Sequence, residues 1–132
     1  MIVYEKFCFR TQIAAAGWQH LSLVVQCLLL ATGLAIIIAA LCYRSGRLTA
    51  VANGISAVGL TIPSFALIGL LIIPLGFGVP PAVTVVTFFA TLPILRNAVV
   101  GLSEVDPAVV ESARGVGMSR VAIFFTVELP LA

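Results

Sequence analysis

The chain of 132 residues is 61% hydrophobic and 9% charged, with a mean hydropathy of +1.22, far from soluble usage, where about a quarter of residues carry charge. Its net charge of +2 comes from scattered Lys and Arg, which excludes a basic patch that would track nucleic-acid phosphates. Cys8, Cys27 and Cys42 lack metal or redox spacing. On one helix Cys27 and Cys42 would stand about 22 Å apart, too far for a disulfide, so all three read as small apolar filler.

The charges are unevenly placed. Residues 48–95 contain no Asp, Glu, Lys or Arg, whereas six of the twelve charged residues fall between Glu104 and Glu128. An uncharged run of that length belongs in a bilayer and predicts one membrane domain.

Residues 1–20 read as a separate N-terminal segment. Lys6 and Arg10 precede an apolar run of full membrane length with no convincing cleavage site, so a signal peptide is not expected. Trp18 and His20 stand just before that run, at headgroup level, and a lone His carries no metal site.

The first predicted span is residues 21–43, which as a helix would measure about 34 Å against a hydrocarbon core of about 30 Å. Gln26 is its one strongly polar side chain and is expected to face another helix or a cavity as packing glue. Arg44 and Arg47 come next, around Gly46, as a short basic turn.

The second span, residues 51–75, contains Pro63, which removes a helix hydrogen bond and predicts a kink near Thr61 and Ser64. Such breaks survive in membranes where protein or a water-filled path satisfies the backbone. Thr61, Pro63 and Ser64 are therefore candidates for lining a pathway, with a purely structural kink equally open. After an uncharged turn at residues 76–81, the third span covers residues 81–102. Pro93 and Asn97 in its second half join the pathway candidates, and Arg96 is expected near the membrane edge, where it can snorkel to water.

Basic residues stand after the first span (Arg44, Arg47) and after the third (Arg114, Arg120), and none lies in the turn between the second and third. The positive-inside rule makes those two segments cytoplasmic and puts the N-terminus outside, although Lys6 and Arg10 oppose this.

Polarity returns in "SEVDPAVVESARGVG". Asp106 can cap a helix and Pro107 suits its first position. Helical spacing sets Val105, Val109, Ser112 and Val116 on one apolar stripe, with Glu111 and Arg114 expected on the far side. Gly117 should end the helix in a left-handed conformation, and Ser119 can cap another helix from Arg120. Two short helices around a glycine corner at the cytoplasmic surface result. The apolar "AIFFTVELPLA" then heads back toward lipid as the start of a fourth span, from which a C-terminally truncated membrane domain is expected.

Glu111-Ser112-Ala113, Gly117, nine residues, then Val127-Glu128-Leu129-Pro130 resembles the Glu-Ala-Ala-x3-Gly-x9-Ile-x-Leu-Pro signature of permease subunits of binding-protein-dependent ABC importers. Ser112 for Ala and Val127 for Ile are the departures. "TIPSFALIGLLIIPLGFGVPPAV", "LPILRNAVVGLSEVDPAVVESARGVGMS" and "VELPLA" look like the osmoprotectant branch, which carries glycine betaine, choline, carnitine or proline; the likeness covers about residues 18–132.

The resemblance implies an all-α, polytopic membrane bundle of the type I importer permease fold, with about three full spans and the start of a fourth. It implies a permease domain over residues 21–132 and an ATPase-coupling segment at about residues 103–126. Glu111, Ala113 and Gly117 match the motif, Ser112 stands at its substituted position in the coupling segment, and Arg114, Val116 and Met118 are neighbours expected to touch the ATPase. The implied partners are an ATP-binding subunit, a second permease subunit and an extracytoplasmic solute-binding protein around a multi-pass chain in the cell membrane. No catalytic residue, metal or cofactor is expected here, since ATP would be bound by the partner. Trp18, Tyr4 and Tyr43 are too dispersed in sequence to form an aromatic cage for a quaternary ammonium, so selectivity is expected in the binding protein. A permease for methionine, nitrate or another small solute, and a truncated non-transporting membrane protein whose amphipathic segment rests on lipid, remain open on the sequence.

Overall fold

The computed structural model describes the backbone of residues 2–132 and the side chains of residues 11–132, so Tyr4, Lys6, Cys8 and Arg10 lie outside the described side chains. The elements are α1 (Ile2–Cys42), α2 (Gly46–Gly59), α3 (Ser64–Leu75), α4 (Val79–Glu104), α5 (Pro107–Gly115), α6 (Arg120–Ile123), a π-helical turn (Phe124–Glu128) and α7 (Leu129–Leu131). All regular structure among the described residues is helical.

Helix α1 runs straight through the segment expected to stand apart from the first span. Its 41 residues make about 62 Å, twice the hydrocarbon thickness. The reason is local: "TQIAAAGWQH" holds three alanines and no proline, so nothing in it stops a helix.

Among the described residues two helices are long and apolar enough to cross a membrane, within Thr11–Cys42 and over Val79–Glu104. The second predicted span is broken: α2 and α3 meet at 93°. With 14 and 12 residues, they measure about 21 and 18 Å, and neither alone reaches across about 30 Å. Pro63 produces a corner here, sharper than the expected kink. It sits in extended backbone (φ −63°, ψ 120°) ahead of α3, while Thr61 and Ile62 donate to the carbonyls of Val58 and Gly59 and tighten the end of α2.

Because α2 and α3 double back between them, α1 and α4 run parallel. Cys27 lies 3.9 Å from the Val83 carbonyl near one end of the pair, and Ala35 and Ala39 cluster with Leu95, Val99 and Leu102 toward the other. The seam on α1 is Cys27, Ala31, Ala35 and Ala39, all buried at intervals of four residues. Short side chains there let α4 press Val85, Leu92, Leu95, Val99 and Leu102 inward, while Leu28, Leu29, Leu30 and Ile37 stay exposed. Small residues inside and large aliphatics outside is the order expected where lipid, being as apolar as leucine, gives no drive to bury the larger ones. Gln26 differs from expectation. It is exposed, because the seam falls on Cys27, about 100° round the helix.

Ala35, fully buried between α1 and α4, tests the seam. Ala35→Leu should overpack it by about 1–3 kcal/mol and lower the melting temperature of the detergent-solubilised protein, whereas Leu29→Ala on the outer face should leave it within error.

Candidate coupling site

The polar segment after α4 forms in the way its local signals dictate. Asp106 caps α5, its Oδ1 accepting from the Ala108 N–H at 2.8 Å, and Pro107 occupies the first helical position. At the far end the Gly117 N–H donates to the Arg114 carbonyl at 2.9 Å and the Met118 N–H to the Ala113 carbonyl at 3.2 Å. That pair of bonds is a Schellman motif, which requires a left-handed residue at the corner; Gly117 supplies it with φ 83°. Ser119 Oγ then accepts from the Ala122 N–H at 3.2 Å and caps α6.

The faces of α5 are less cleanly divided than expected: Val105 of the stripe is half-buried, and Glu111 and Arg114 are exposed like the rest of it. Ala113 is buried and Val110 and Met118 half-buried, whereas Val109, Ser112 and Val116 are exposed, Val116 to 79%. Glu111 and Arg114, expected on the far side, line a cleft of about 370 Å³ together with Tyr43, Arg44, Ser103 and Glu128. The helix therefore seats on Ala113, while its exposed Glu111 and Arg114 border the polar groups at the end of α1. Val109, Ser112 and Val116 face away from the bundle, whereas Val105 lines the cleft.

Behind that cleft lies a charged clasp that the sequence reading missed. Tyr43 Oη donates to Glu128 Oε2 at 2.7 Å, Arg44 Nε donates to Tyr43 Oη at 2.6 Å, and Arg44 Nη2 stands 3.4 Å from both carboxylate oxygens. This is the one ion pair among the described residues. Glu128 is 4% exposed, and the Tyr43 ring lies 6.2 Å from that of Phe124. Tyr43 stands just beyond the end of α1. Burial first, then the hydrogen bond to Glu128, pushes its hydroxyl above the ordinary range, so it stays protonated as a donor. The signal was present: Glu128 is the lone charge in an apolar run, and an ionisable residue there demands a partner.

The π-helical turn carries Glu128. The Leu129 N–H reaches back five residues to the Phe124 carbonyl. Pro130 supplies the cause, since in an α-helix its ring would collide with the carbonyl of Thr126 four residues back. The widened turn relieves that clash and re-aims the side chains beyond it.

The five pathway candidates do not converge on one cleft. Thr61, Pro63 and Ser64 are exposed at the α2–α3 corner, and Ile62 between them lines a cleft with Val58 and Phe88. Pro93, Arg96 and Asn97 are exposed on one face of α4, and Asn97 lines a separate groove of about 340 Å³ with Thr32, Ile36 and Leu129. The buried polar atoms without a partner among the described residues are instead Asn53 Oδ1, Ser56 Oγ and Thr87 Oγ1, none of which the sequence singled out. The described residues bring together no group of three potential metal-ligating side chains.

Residues 31–132 match the family described as binding-protein-dependent transport system inner membrane component. The chain belongs to that family. As an inner membrane component it is a multi-pass membrane protein, all-α over its described residues, and the fold expectation stands. Among its relatives it is 42% identical over 130 residues to the osmoprotectant import permease protein OsmW of Salmonella typhimurium, covering 91% of this chain and 58% of that protein. It is 35% identical over 113 residues to the carnitine transport permease protein OpuCB of Listeria monocytogenes (86% and 52% covered). To the choline transport system permease protein OpuBB of Bacillus subtilis it is 32% identical over 119 residues (87% and 53% covered). The chain spans about half the length of these curated relatives.

The cap can be tested apart from any function. Asp106→Ala should cost α5 about 1 kcal/mol, read as roughly fivefold faster hydrogen exchange at the Val110 and Glu111 amides, with α4 amides unchanged.

Proposed function

We propose that this inner membrane component serves as the permease of an ATP-driven importer for a compatible solute such as glycine betaine, choline, carnitine or proline. In this reading α5 and the Gly117 corner, within residues 103–126, dock on a separate ATP-binding subunit, and the membrane domain over residues 21–132 pairs with a second permease subunit. A solute-binding protein delivers the cargo on the opposite face, where the N-terminus lies. The carrying observation is the exposed Val109–Ser112–Val116 stripe on a helix capped at both ends, at the same end of the bundle as Arg44 and Arg114.

A face of that kind, with exposed Val109 and Val116 flanking the polar Ser112, fits a groove on a soluble partner. ATP-driven closure of two ATPases would draw two such corners together, and the helices above would rock between inward-open and outward-open states. The solute class is supported by the relatives, whose names specify carnitine, choline or osmoprotectants. Chemistry in this chain is confined to binding and movement.

Gly117→Val tests the docking. A β-branched residue at φ 83° is strained by at least about 1 kcal/mol and should redirect α5. Co-purification with the ATP-binding subunit should drop at least tenfold while the amount in the membrane fraction holds. Unchanged co-purification would remove α5 from the docking surface. Growth in high salt with glycine betaine supplied reads the solute, and no betaine-dependent recovery would exclude that class.

A further inference from the structure

We infer that Glu128 is a positioning residue for coupling: with Tyr43 and Arg44 it forms a strut that makes α1 move with the α5 corner. This rests on the coupling reading above. Helix α5 is joined covalently to α4, which meets α1 along an apolar seam, and to α6. The clasp adds a polar link to α1 across 84 residues of sequence, with one end on the residues directly after α1 and the other on the turn directly after α6.

Three observations separate this contact from an incidental surface ion pair. Glu128 is almost completely buried, and a carboxylate shielded from water in a membrane protein persists only when its oxygens are partnered. Here Tyr43 and Arg44 partner them, and Arg44 also braces the tyrosine oxygen from its other side. The π-helical turn aims the carboxylate, since one residue more in the turn rotates the downstream chain by about 100° relative to an uninterrupted α-helix. Finally, Glu111 and Arg114 of α5 share one cleft with Tyr43, Arg44 and Glu128. A displacement of α5 therefore bears on the cleft that the clasp lines, and a buried carboxylate held by Tyr43 and by the partly exposed Arg44 resists losing those partners more than an apolar contact resists sliding.

The test is made on the complete importer, permease with its ATP-binding subunits and binding protein, in proteoliposomes. The readout is radiolabelled glycine betaine taken up per ATP hydrolysed. Glu128→Gln keeps the shape and the Tyr43 contact but removes the charge, and Arg44→Gln removes the other partner. Each should lower the uptake-to-ATP ratio at least fivefold while the ATP-binding subunit still co-purifies, and the double variant should be no worse than the more damaging single one. A ratio that holds, with yield and both rates falling in parallel, would make the clasp merely structural and overturn the proposal; so would losses that multiply in the double variant. Should Glu128→Gln not accumulate in the membrane, Tyr43→Phe, which deletes one hydroxyl, reads the same ratio under the same criterion. Wild type distinguishes the levels: if it neither binds an ATP-binding subunit nor transports betaine, the coupling reading itself fails and takes this inference with it.

Discussion

Close approach of α1 and α4 is the constraint on which the rest of this structure depends. Lipid offers helices no hydrophobic reward for meeting, so association rests on packing at short range. The seam of Cys27, Ala31, Ala35 and Ala39 makes that possible by presenting almost no side chain where α4 lies. Held parallel, both helices deliver their C-terminal ends to one face of the bundle. That is why Tyr43 and Arg44, directly after α1, meet Glu128, which the chain reaches only after α4, α5 and α6.

Proline shapes the chain at four points in different ways. At Pro63 the missing N–H and extended backbone turn one span into two arms at 93°. Pro93 sits inside α4, which nevertheless continues to Glu104, as membrane helices allow when neighbours satisfy the freed carbonyl. Pro107 starts α5 where no hydrogen bond is lost. Pro130 widens the preceding turn to a π-helix and so determines where Glu128 points. One residue type thus sets a corner, a tolerated interruption, a helix start and the aim of a buried charge.

Legibility in the sequence tracked the range of the interaction. Asp106, Pro107, Gly117 and Ser119 act on backbone within a few residues, and each does in the structure what its local chemistry prescribed. The break at Pro63 was legible for the same reason. The orientation of α5 was not, because two valine-bearing faces were available and the choice fell to Ala113 and to a charged cleft assembled from α1 and the π-helical turn. Gln26 was placed by a general cost of burying amides, whereas its actual position depends on which residues of α1 fit α4. Glu128 could be read as a charge in need of a partner, but its partners lie 84 and 85 residues away, beyond anything spacing reports.

A helix of nine residues is too short to persist in water by itself, since isolated helices below about 12 residues are marginal. The structure meets that difficulty from the ends and from beneath: an aspartate cap, a Schellman corner, and Ala113 buried on the bundle. None of these supports uses Val109, Ser112 or Val116 as an inward contact. Apart from the Ser112 Oγ bond to the Ala108 carbonyl, the exposed stripe carries no contact that holds α5 to the bundle, which leaves it available to a partner. Stability at the rear and availability at the front are properties of the same nine residues, and the one-residue difference between Ala113 and Ser112 in the quartet Glu111 to Arg114 decides which side is which.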